Sequence, residues 1–355
     1  MQAIEKRASL FNSMAQSVMN SHDANFWLQK INPLWSMNQP LAKVVKKQIV
    51  AKDMVSLILQ CNRHVQRGVA GQHHPVTVEI AGRHYERTYS LMQVDADHLC
   101  LTVKKVDQGL VSSWLVDQSQ TGDILRLGQP YGEMQQQVQT PRLLLLAAGS
   151  GITPMLSLIE AFCQSRQLKA IFVQLMYWVK THEDAAYAEY LKEVAENFPN
   201  FTYQIFYTQE QDQRLNPSHI DQLKSLNETT VYACGPSGFA ATAETLFKHV
   251  ASIQTEAFSL SQFDTDATDT GFINVTLTQS NKTIAIPKGQ SILSSLEHQG
   301  IKPKHGCRMG ICNKCACTKA QGATKNLLNG SANHEPSQLL KICVNSAQSD
   351  LVIDL

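Results

Sequence analysis

Five of the nine cysteines in this 355-residue chain fall within its last fifty residues. They are Cys307, Cys312, Cys315, Cys317 and Cys343. The first three follow the spacing C-x4-C-x2-C, and Cys343 comes after 27 further residues. Thiols crowded in this way favour a metal centre over disulfides when the compartment is reducing. The fold of the C-terminal region must therefore bring thiols from two separate places in the chain to one point.

This cysteine spacing is that of a plant-type 2Fe-2S site, in which four thiolates hold two irons. The predicted ligands are Cys307, Cys312, Cys315 and Cys343. Gly306 and Gly310 would let a tight loop aim backbone N–H groups at the sulfurs. Structural zinc is the alternative, but zinc ligands usually come as two C-x2-4-C pairs, whereas Cys343 stands alone within the apolar run Leu340–Val344. Cys317 is either an additional ligand or, more simply, a core residue placed by strand alternation.

Length and composition predict a globular protein of three domains, since one compact core rarely exceeds about 200 residues. Apolar residues make up 43% of the chain and charged residues 17%, which argues against extensive disorder. The net charge of +1 argues against nucleic acid as a partner. No apolar run approaches the roughly 20 residues of a membrane span, and the N-terminus lacks a signal-peptide pattern. A cytoplasmic location is the expectation.

Residues 1–38 form a lead segment in which apolar residues follow the spacing of one helix face, with Pro33 disturbing it. These residues are Trp27, Ile31, Leu34 and Trp35. We expect the segment to pack against the domain that follows it. Contact with the inner membrane or with a partner protein is the alternative.

Two patterns divide the next 220 residues. Within 39–139, short alternating runs separated by Gly and Pro predict an antiparallel β-barrel. These runs are Leu41–Gln60, Val76–Ile80, His98–Val106 and Asp123–Leu127. Within 140–258, strands alternate with helical segments, which predicts an α/β domain built on a parallel sheet. Its strands are predicted at Leu143–Ala148, Ala170–Trp178, Phe201–Tyr207 and Thr230–Ala233, with a first helix from Pro154 to about Gln167.

A polar stretch at 259–270, rich in Ser, Thr and Asp, predicts a linker. The third module then occupies 271–355, with strands predicted at Phe272–Thr278 and Thr283–Ile286 and a helix at Gln290–His298 before the cysteine loop. This module resembles plant-type ferredoxins, which implies a β-grasp (α+β) fold around the cluster.

Arg87-Thr88-Tyr89-Ser90 lies in the predicted barrel, and Gly109-Leu110-Val111-Ser112 follows at the start of a helix. The first motif alone is weak, because an ordinary strand with a half-buried tyrosine would look the same. Together they resemble the flavin-binding R-x-Y-S and G-x-x-S motifs of the ferredoxin–NADP reductase superfamily. The resemblance implies that Arg87 and Thr88 bind flavin, that Tyr89 stacks on its ring and that Ser90 lies near the reactive N5. Gly109 to Ser112 would bind a pyrophosphate at a helix N-terminus, which favours FAD over FMN.

Gly149-Ser150-Gly151-Ile152-Thr153-Pro154 follows an apolar strand and resembles the superfamily's G-x-G-x-T-P motif. Gly149 and Gly151 would let the backbone approach a pyrophosphate, with Thr153 and Pro154 in the first helical turn. Cys234-Gly235-Pro236 resembles the C-G-P motif, which implies that Cys234 lies beside the nicotinamide and positions it for hydride transfer. A buried core cysteine at a strand end is the alternative for Cys234.

The choice between NADPH and NADH is less determined. Lys180 and Arg214 follow the second and third strands of the α/β domain, where a 2'-phosphate would need cationic partners. They favour NADPH, although solvated side chains would look the same. Phe258 ends the domain where relatives often place an aromatic ring against the flavin, so it is a further candidate.

The three modules in this order resemble fused reductases that feed oxygenases. Residues 32–36 (NPLWS) and 306–312 (GCRMGIC) look most like reductase partners of membrane fatty-acyl desaturases. The resemblance implies an NAD(P)H oxidoreductase that passes electrons from NADPH through FAD and a 2Fe-2S cluster to such a desaturase. A ring-hydroxylating dioxygenase, an alkane hydroxylase or a hybrid-cluster protein is an alternative acceptor, and a redox-responsive regulator is an alternative of another class.

The third module carries nine Lys and Arg against four Asp and Glu, a formal balance of +5. A basic face of this kind would suit an acidic partner surface or anionic lipid headgroups. A generally solvated surface is an equal alternative.

Overall fold

A computed structural model describes the chain at residues 21–107, 109–132, 134, 141–210, 213–221, 223, 225–259, 271–306, 308–310, 313–328 and 330–355. Most of the predicted linker and two predicted iron ligands, Cys307 and Cys312, lie outside these residues. In the described part of the chain, no helix is both long and apolar enough to span a membrane.

The first domain is a closed six-stranded barrel in which every neighbouring pair is antiparallel, as predicted. Its strands are β1 (Leu41–Ala51), β2 (Met54–Cys61), β3 (His73–Ile80), β4 (Arg83–Gln93), β5 (His98–Lys104) and β6 (Ile124–Leu127), in the order β1-β2-β5-β4-β3-β6. The predicted run Leu41–Gln60 is two strands joined by a tight turn, with Asp53 at a positive φ of 54°. Alternate side chains such as Val44, Leu57 and Leu101 fill the barrel core.

The second domain is a five-stranded, wholly parallel sheet, again as predicted. Its strands are β7 (Arg142–Ala148), β8 (Phe172–Val179), β9 (Phe201–Tyr207), β10 (Thr229–Pro236) and β11 (Ser252–Ser259), in the order β11-β10-β7-β8-β9. The chain runs outward from β7 through β8 and β9, then returns to β10 on the other side. The carboxyl ends of β7 and β10 therefore meet at the switch point where such sheets bind ligands.

The helices of the barrel and of the parallel-sheet domain are short. They are α1 (Ser21–Ile31), α2 (Leu110–Ser113), α3 (Ile152–Gln164), α4 (Ala188–Asn197), α5 (Ser218–Asp221) and α6 (Ser237–Leu246). A π-helical turn, Trp114–Gln118, extends α2. Buried residues of α3 join the core on one face of the sheet, and Ala243 of α6 joins the core on the other.

The third module is a mixed sheet with one helix and a small second sheet, the α+β fold expected of a β-grasp domain. Its elements are β12 (Phe272–Leu277), β13 (Lys282–Pro287), α7 (Ile292–His298), β14 (Ala316–Gln321), β15 (Thr324–Asn326), β16 (Ala332–Asn333), β17 (Gln338–Lys341), β18 (Asn345–Ala347) and β19 (Leu351–Ile353). The main sheet has the order β13-β12-β19-β14-β17 and the second sheet the order β16-β15-β18. The strand-like run Leu340–Val344 is broken, since β17 ends at Lys341 and Cys343 lies in the following turn.

The lead segment packs against the domain that follows it, as expected, through hydrogen bonds to its backbone carbonyls. The Asn62 side-chain amide donates to the Leu34 carbonyl at 3.1 Å, and His64 Nε2 lies 2.9 Å from the Ser36 carbonyl oxygen. Within the segment, the buried Asn25 accepts hydrogen bonds from the Ser36 hydroxyl and from the Met37 N–H. Trp27 and Trp35 are 64% and 51% exposed, so their rings contribute little to this packing.

Several polar contacts join the barrel to the parallel-sheet domain. The hydroxyls of Thr102 and Tyr187 lie 2.6 Å apart, and Lys104 Nζ lies 2.9 Å from Asp184 Oδ1. Burial alone would raise the pKa of Asp184, but the Lys104 ammonium outweighs it and holds that pKa below its usual value. The Ser157 hydroxyl of α3 donates to the Leu91 carbonyl of β4 at 3.1 Å. These contacts fix the relative orientation of the two domains.

Candidate redox site

The predicted flavin motif lies on β4, and antiparallel pairing sets Ser90 directly opposite His73 of β3. His73 Nδ1 lies 2.8 Å from Ser90 Oγ, and His73 Nε2 lies 2.7 Å from Glu256 Oε2 of β11. The His73 side chain is 1% exposed and that of Glu256 13%. A buried chain of three polar groups thus runs from the barrel to the last strand of the parallel sheet.

This chain allows two proton arrangements. With a neutral imidazole, His73 Nε2–H donates to Glu256 and Nδ1 accepts from the Ser90 hydroxyl. With an imidazolium, both ring nitrogens donate, so that the Ser90 oxygen accepts and its proton is free to point elsewhere. Ser90 can therefore act as a donor or an acceptor toward a group bound beside it.

Aromatic rings surround the same histidine. The rings of His73 and Phe258 meet edge to face at a centroid distance of 5.7 Å, and Tyr131 lies 6.2 Å away in a similar arrangement. The Tyr131 hydroxyl is 2.6 Å from Thr88 Oγ1. The structure thus brings the predicted residues Ser90, Thr88 and Phe258 together around His73.

Arg87 and Tyr89 complete the motif on β4. Arg87 is half-buried and its Nη1 donates to the Glu86 carbonyl at 2.7 Å. The ring of Tyr89 packs against the barrel core, and burial raises the pKa of its phenol well above the usual value. A flavin ring would stack on the neutral ring of Tyr89, and a flavin phosphate would bind the cationic Arg87. Their roles toward flavin stay predictions.

Ser112 is placed differently from the expectation. Its hydroxyl accepts from the Val106 N–H at 3.1 Å and donates to the Gly109 carbonyl at 3.2 Å, so it closes its own turn. Because a hydroxyl has one proton, it cannot donate to a pyrophosphate at the same time. The backbone amides of Leu110, Val111 and Ser112 in the first turn are then the candidate donors. Gly109 is needed for the turn, since a Cβ there would lie 2.5 Å from Ser112 Oγ.

The second glycine of the phosphate-loop motif sits against the C-G-P motif. A Cβ at Gly151 would lie 2.0 Å from the Cys234 carbonyl oxygen, and one at Gly235 would lie 2.8 Å from the Ala148 Cβ. The end of β10 and the loop after β7 can therefore approach each other only with glycine at both positions. Pro236 closes β10 on this side.

Gly149 begins the loop at a φ of +55°, and a Cβ there would meet open space. Glycine is required at Gly149 by its backbone conformation rather than by crowding. The Thr153 hydroxyl donates to the Ser150 carbonyl at 3.1 Å, and Pro154 lies in the first turn of α3. The loop is thus held with its backbone facing space at a helix N-terminus, the arrangement that binds phosphate.

Cys234 is fully buried at the end of β10, in register with Ala147 and Glu256. Burial raises the pKa of its thiol well above the usual value, and the nearby Glu256 carboxylate adds to this. Cys234 is therefore a neutral thiol, suited to packing against a ligand rather than to attacking it.

Lys180 and Arg214, predicted to bind a 2'-phosphate, are both exposed. A carboxylate that the sequence patterns did not single out lies in the same pair of loops. His182 stacks on Tyr207 at 3.7 Å, its Nδ1 lies 2.5 Å from Glu210 Oε2 and its backbone N–H donates to Glu210 Oε1 at 2.9 Å. The Gln209 N–H donates to the Lys180 carbonyl at 3.0 Å, so the loops after β8 and β9 meet here. A negative charge in these loops opposes binding of a 2'-phosphate.

Two of the four predicted iron ligands are described, and they meet. Cys315 Sγ and Cys343 Sγ lie 3.0 Å apart, and both are buried. Cys317 instead packs in the module's core, as strand alternation predicts. The short S–S separation of two unbonded thiols fits a pair that shares one metal centre.

Charged side chains brace the loop that holds the cluster motif. Arg308 binds the Glu297 carboxylate through both terminal nitrogens and lies 2.9 Å from His305 Nε2. Lys341 Nζ donates to the Gly310 carbonyl at 2.6 Å. Gly310 has a φ of +75°, and a Cβ there would lie 2.9 Å from the Val344 side chain. The turn bearing Cys343 and the loop bearing Cys315 are thereby held together.

Three family models match consecutive parts of the chain. The oxidoreductase FAD-binding domain matches residues 41–136, the oxidoreductase NAD-binding domain 145–245 and the 2Fe-2S iron-sulfur cluster binding domain 275–344. The chain belongs to the ferredoxin–NADP reductase superfamily and carries a C-terminal 2Fe-2S domain. This reductase is therefore an oxidoreductase with domains for FAD, NAD(P)H and a 2Fe-2S cluster, as the sequence predicted.

Known proteins show the same arrangement along the whole chain. An NADPH oxidoreductase of Mycobacterium tuberculosis is 28% identical over 340 residues, which cover 93% of this reductase and 88% of the relative. Phthalate dioxygenase reductase of Burkholderia cepacia is 25% identical, covering 88% and 96%. A solved structure of phthalate dioxygenase reductase superimposes with a TM-score of 0.65 at 24% identity, covering 89% and 97%. This likeness establishes the three-domain fold.

The residues of this reductase fit the three groups. The backbone at Gly149 faces open space where a dinucleotide could approach, Gly151 lets the loop pack on the end of β10, and Ser90 and Arg87 lie on one strand of the barrel. Cys315 and Cys343 supply two adjacent soft thiol donors, which select iron–sulfur or zinc chemistry. The family match to a 2Fe-2S domain decides between these two for the whole motif.

Proposed function

We propose that this reductase takes hydride from NADPH or NADH and delivers single electrons through its 2Fe-2S domain to an oxygenase. The observation that carries the proposal is the convergence of Ser90, His73, Glu256 and Cys234 where β4 meets the carboxyl ends of β10 and β11. A flavin and a nicotinamide brought together there would lie between the neutral Cys234 thiol and the Ser90 hydroxyl.

Bound flavin supplies the exchange between a two-electron hydride and single electrons, which a 2Fe-2S cluster carries one at a time. The chain's own residues bind, orient and hold protons. The Gly149–Gly151 amides and the start of α3 bind the dinucleotide pyrophosphate, which sets the nicotinamide against Cys234. Ser90 presents a proton or a lone pair to the flavin edge, depending on the state of His73. Glu256 holds the His73 ring beside Ser90 by accepting from Nε2–H in either arrangement.

The acceptor that we propose to test first is a membrane fatty-acyl desaturase, with the reductase on the cytoplasmic side of the inner membrane. The segments 32–36 and 306–312 support it, as do the +5 balance of the third module and the exposed Phe26, Trp27, Ile31 and Trp35. A ring-hydroxylating dioxygenase is the second candidate, because a similar protein is named phthalate dioxygenase reductase.

The test starts with reconstituted protein titrated anaerobically with NADPH and with NADH. We expect both the flavin and the iron–sulfur absorbance to bleach, and extraction to yield FAD. The reduced protein is then mixed with a purified desaturase in vesicles or with a purified dioxygenase. Bleaching of flavin without the cluster would overturn the electron path, and turnover with the dioxygenase alone would overturn the desaturase assignment.

A further inference from the structure

An ion pair connects the 2Fe-2S domain to the strand that carries the flavin motif. Lys314 Nζ lies 2.5 and 2.7 Å from the two carboxylate oxygens of Glu86, although the residues are 228 positions apart. The lysine directly precedes the predicted ligand Cys315, and the glutamate directly precedes Arg87 on β4. The contact therefore joins the two redox sites at positions next to their functional residues.

Glu86 contacts both Lys314 and Arg87. Its carboxylate accepts from Lys314, and its backbone carbonyl accepts from Arg87 Nη1 at 2.7 Å. Strand pairing of Glu86 with Thr77 of β3 fixes this backbone. On the other side, the Asn313 carbonyl accepts from the Ala316 N–H at 3.0 Å, which fixes the turn that presents Lys314. The backbone is held by hydrogen bonds at both ends of the ion pair, so the contact sets the position of Cys315 relative to β4.

We propose that Lys314 and Glu86 are positioning residues that hold the 2Fe-2S domain on the flavin domain while the cluster receives electrons. This inference rests on the proposed flow of electrons from flavin to cluster. Electron transfer within the chain requires the cluster domain to dock, whereas delivery to an outside acceptor requires the cluster face to be accessible. A docking contact that forms and breaks readily serves both steps.

The exposure of the pair supports a reversible contact. The Lys314 side chain is 47% exposed and that of Glu86 23%, so solvent and salt weaken their attraction. Two contacts between the barrel and the parallel sheet, Lys104–Asp184 and His73–Glu256, are more deeply buried, with Asp184 10% and His73 1% exposed. The Lys314–Glu86 ion pair is thus more salt-sensitive than these two links.

The experiment uses reconstituted full-length protein and three variants: Glu86→Gln, Lys314→Gln and the charge-swapped double variant E86K/K314E. Lys52→Gln is the matched control, because Lys52 of the barrel forms an exposed pair at 3.6 Å with Glu183 of the parallel-sheet domain, without involving the 2Fe-2S domain. Stopped-flow absorbance follows flavin reduction and cluster reduction separately after mixing with NADPH or NADH. Hydrogen exchange of the peptides that contain Glu86 and Lys314 reports docking without reference to turnover.

We expect each neutral variant to slow cluster reduction about threefold to fivefold at low salt, the effect of one partly exposed ion pair. Flavin reduction should stay at the wild-type rate, because neither side chain contacts the motif residues of the nucleotide site. Hydrogen exchange should accelerate around Glu86, and rising salt should slow the wild type but not the variants. The double variant should regain most of the rate, and Lys52→Gln should match the wild type.

Three outcomes are separable. If both neutral variants reduced the cluster at the wild-type rate and with the wild-type salt dependence, the docking role would be overturned and the proposed function would stay intact. Slow cluster reduction in the two single variants, with no recovery in the double variant, would also overturn the docking role, since the effect would not depend on the paired charges. Failure of the wild type to reduce its cluster would instead overturn the proposed function.

Discussion

His73 Nε2 lies 2.7 Å from Glu256 Oε2. This contact links β3, the strand paired with the motif-bearing β4, to β11 of the parallel sheet. Neither group has much access to water, so each depends on the other for its hydrogen bond. Loss of one partner would leave the other buried and unpaired, which costs about 1–3 kcal/mol. The contact therefore matters both for proton placement at Ser90 and for the fit of the two domains.

Replacing Glu256 by Gln should lower the rate of flavin reduction by NAD(P)H by about a hundredfold, the lower end of the range for lost acid–base assistance. The carboxylate can only accept from His73 Nε2–H, whereas an amide can also donate to Nε2, which would reverse the tautomer of the ring and the direction of its hydrogen bond with Ser90. Stopped-flow reduction at saturating nucleotide measures this, with KM expected to change little. Glu244→Gln on α6 is the control, and an unchanged rate in Glu256→Gln would contradict the role of the carboxylate.

Replacing Gly151 by Ala should destabilise the parallel-sheet domain by about 1–3 kcal/mol, the usual cost of forcing atoms into a filled space. The new Cβ would lie 2.0 Å from the Cys234 carbonyl, so the loop and the end of β10 must separate. Thermal unfolding and nucleotide affinity should both fall. Gly238→Ala on α6 is the matched control, because a Cβ there meets nothing within 4 Å and helix propensity improves. Equal stability in the two variants would refute the crowding argument.

The pH dependence of stability should contain a contribution from His74. Burial lowers its pKa below 6.5 in the folded protein, although hydrogen bonds to the Arg67 and Gly128 carbonyls oppose this. Since the unfolded chain then binds more protons below pH about 6.5, stability falls as the pH drops through that window. His74→Gln should lose this part of the slope. The midpoint of thermal unfolding between pH 5 and 8 measures it, and parallel curves for both proteins would disprove it.

Replacing Glu210 by Gln should raise the preference for NADPH over NADH about tenfold, the effect of removing one charge near a 2'-phosphate in partly exposed surroundings. His182 would keep a hydrogen-bond partner, while the pair of loops that carries Lys180 would lose one negative charge. The ratio of kcat/KM for the two nucleotides gives the answer. Glu196→Gln, at the end of α4, removes the same charge elsewhere and should leave the ratio alone. A tenfold change of the ratio in Glu196→Gln as well would show that loss of any carboxylate shifts the preference, which would contradict a specific role of Glu210.

Replacing Cys343 by Ser should abolish the iron–sulfur absorbance while leaving flavin reduction by NAD(P)H intact. Cys343 Sγ lies 3.0 Å from Cys315 Sγ, and a hydroxyl is a poor substitute for a thiolate on iron. Cys317→Ala is the control. It should keep the cluster and lose roughly 1 kcal/mol of stability from a small core cavity. Iron content per chain, measured after reconstitution, separates a ligand from a core residue.

The glycine, cysteine and apolar patterns predicted the three-domain fold, because strand alternation and glycine-rich turns are local properties of the chain. His73 and Glu256 were not predicted, since their partnership depends on the register of β3 against β4 and on the packing of two domains. Glu210 was missed for the same reason, because its contact with His182 depends on how the loops after β8 and β9 pack against each other. Ser112 was assigned to a ligand, but its hydroxyl serves the local turn, a competition that spacing alone does not reveal.

The bonds between Thr102 and Tyr187 and between Lys104 and Asp184 have a consequence for how this chain tolerates change. Each pairs a strand of the barrel with the loop before α4, so a substitution on either side alters the geometry seen by the other. A substitution at one of these positions in the barrel therefore needs a compensating one in the parallel-sheet domain. The Lys314–Glu86 contact of the 2Fe-2S domain is more exposed, so a substitution there disturbs the neighbouring domain less.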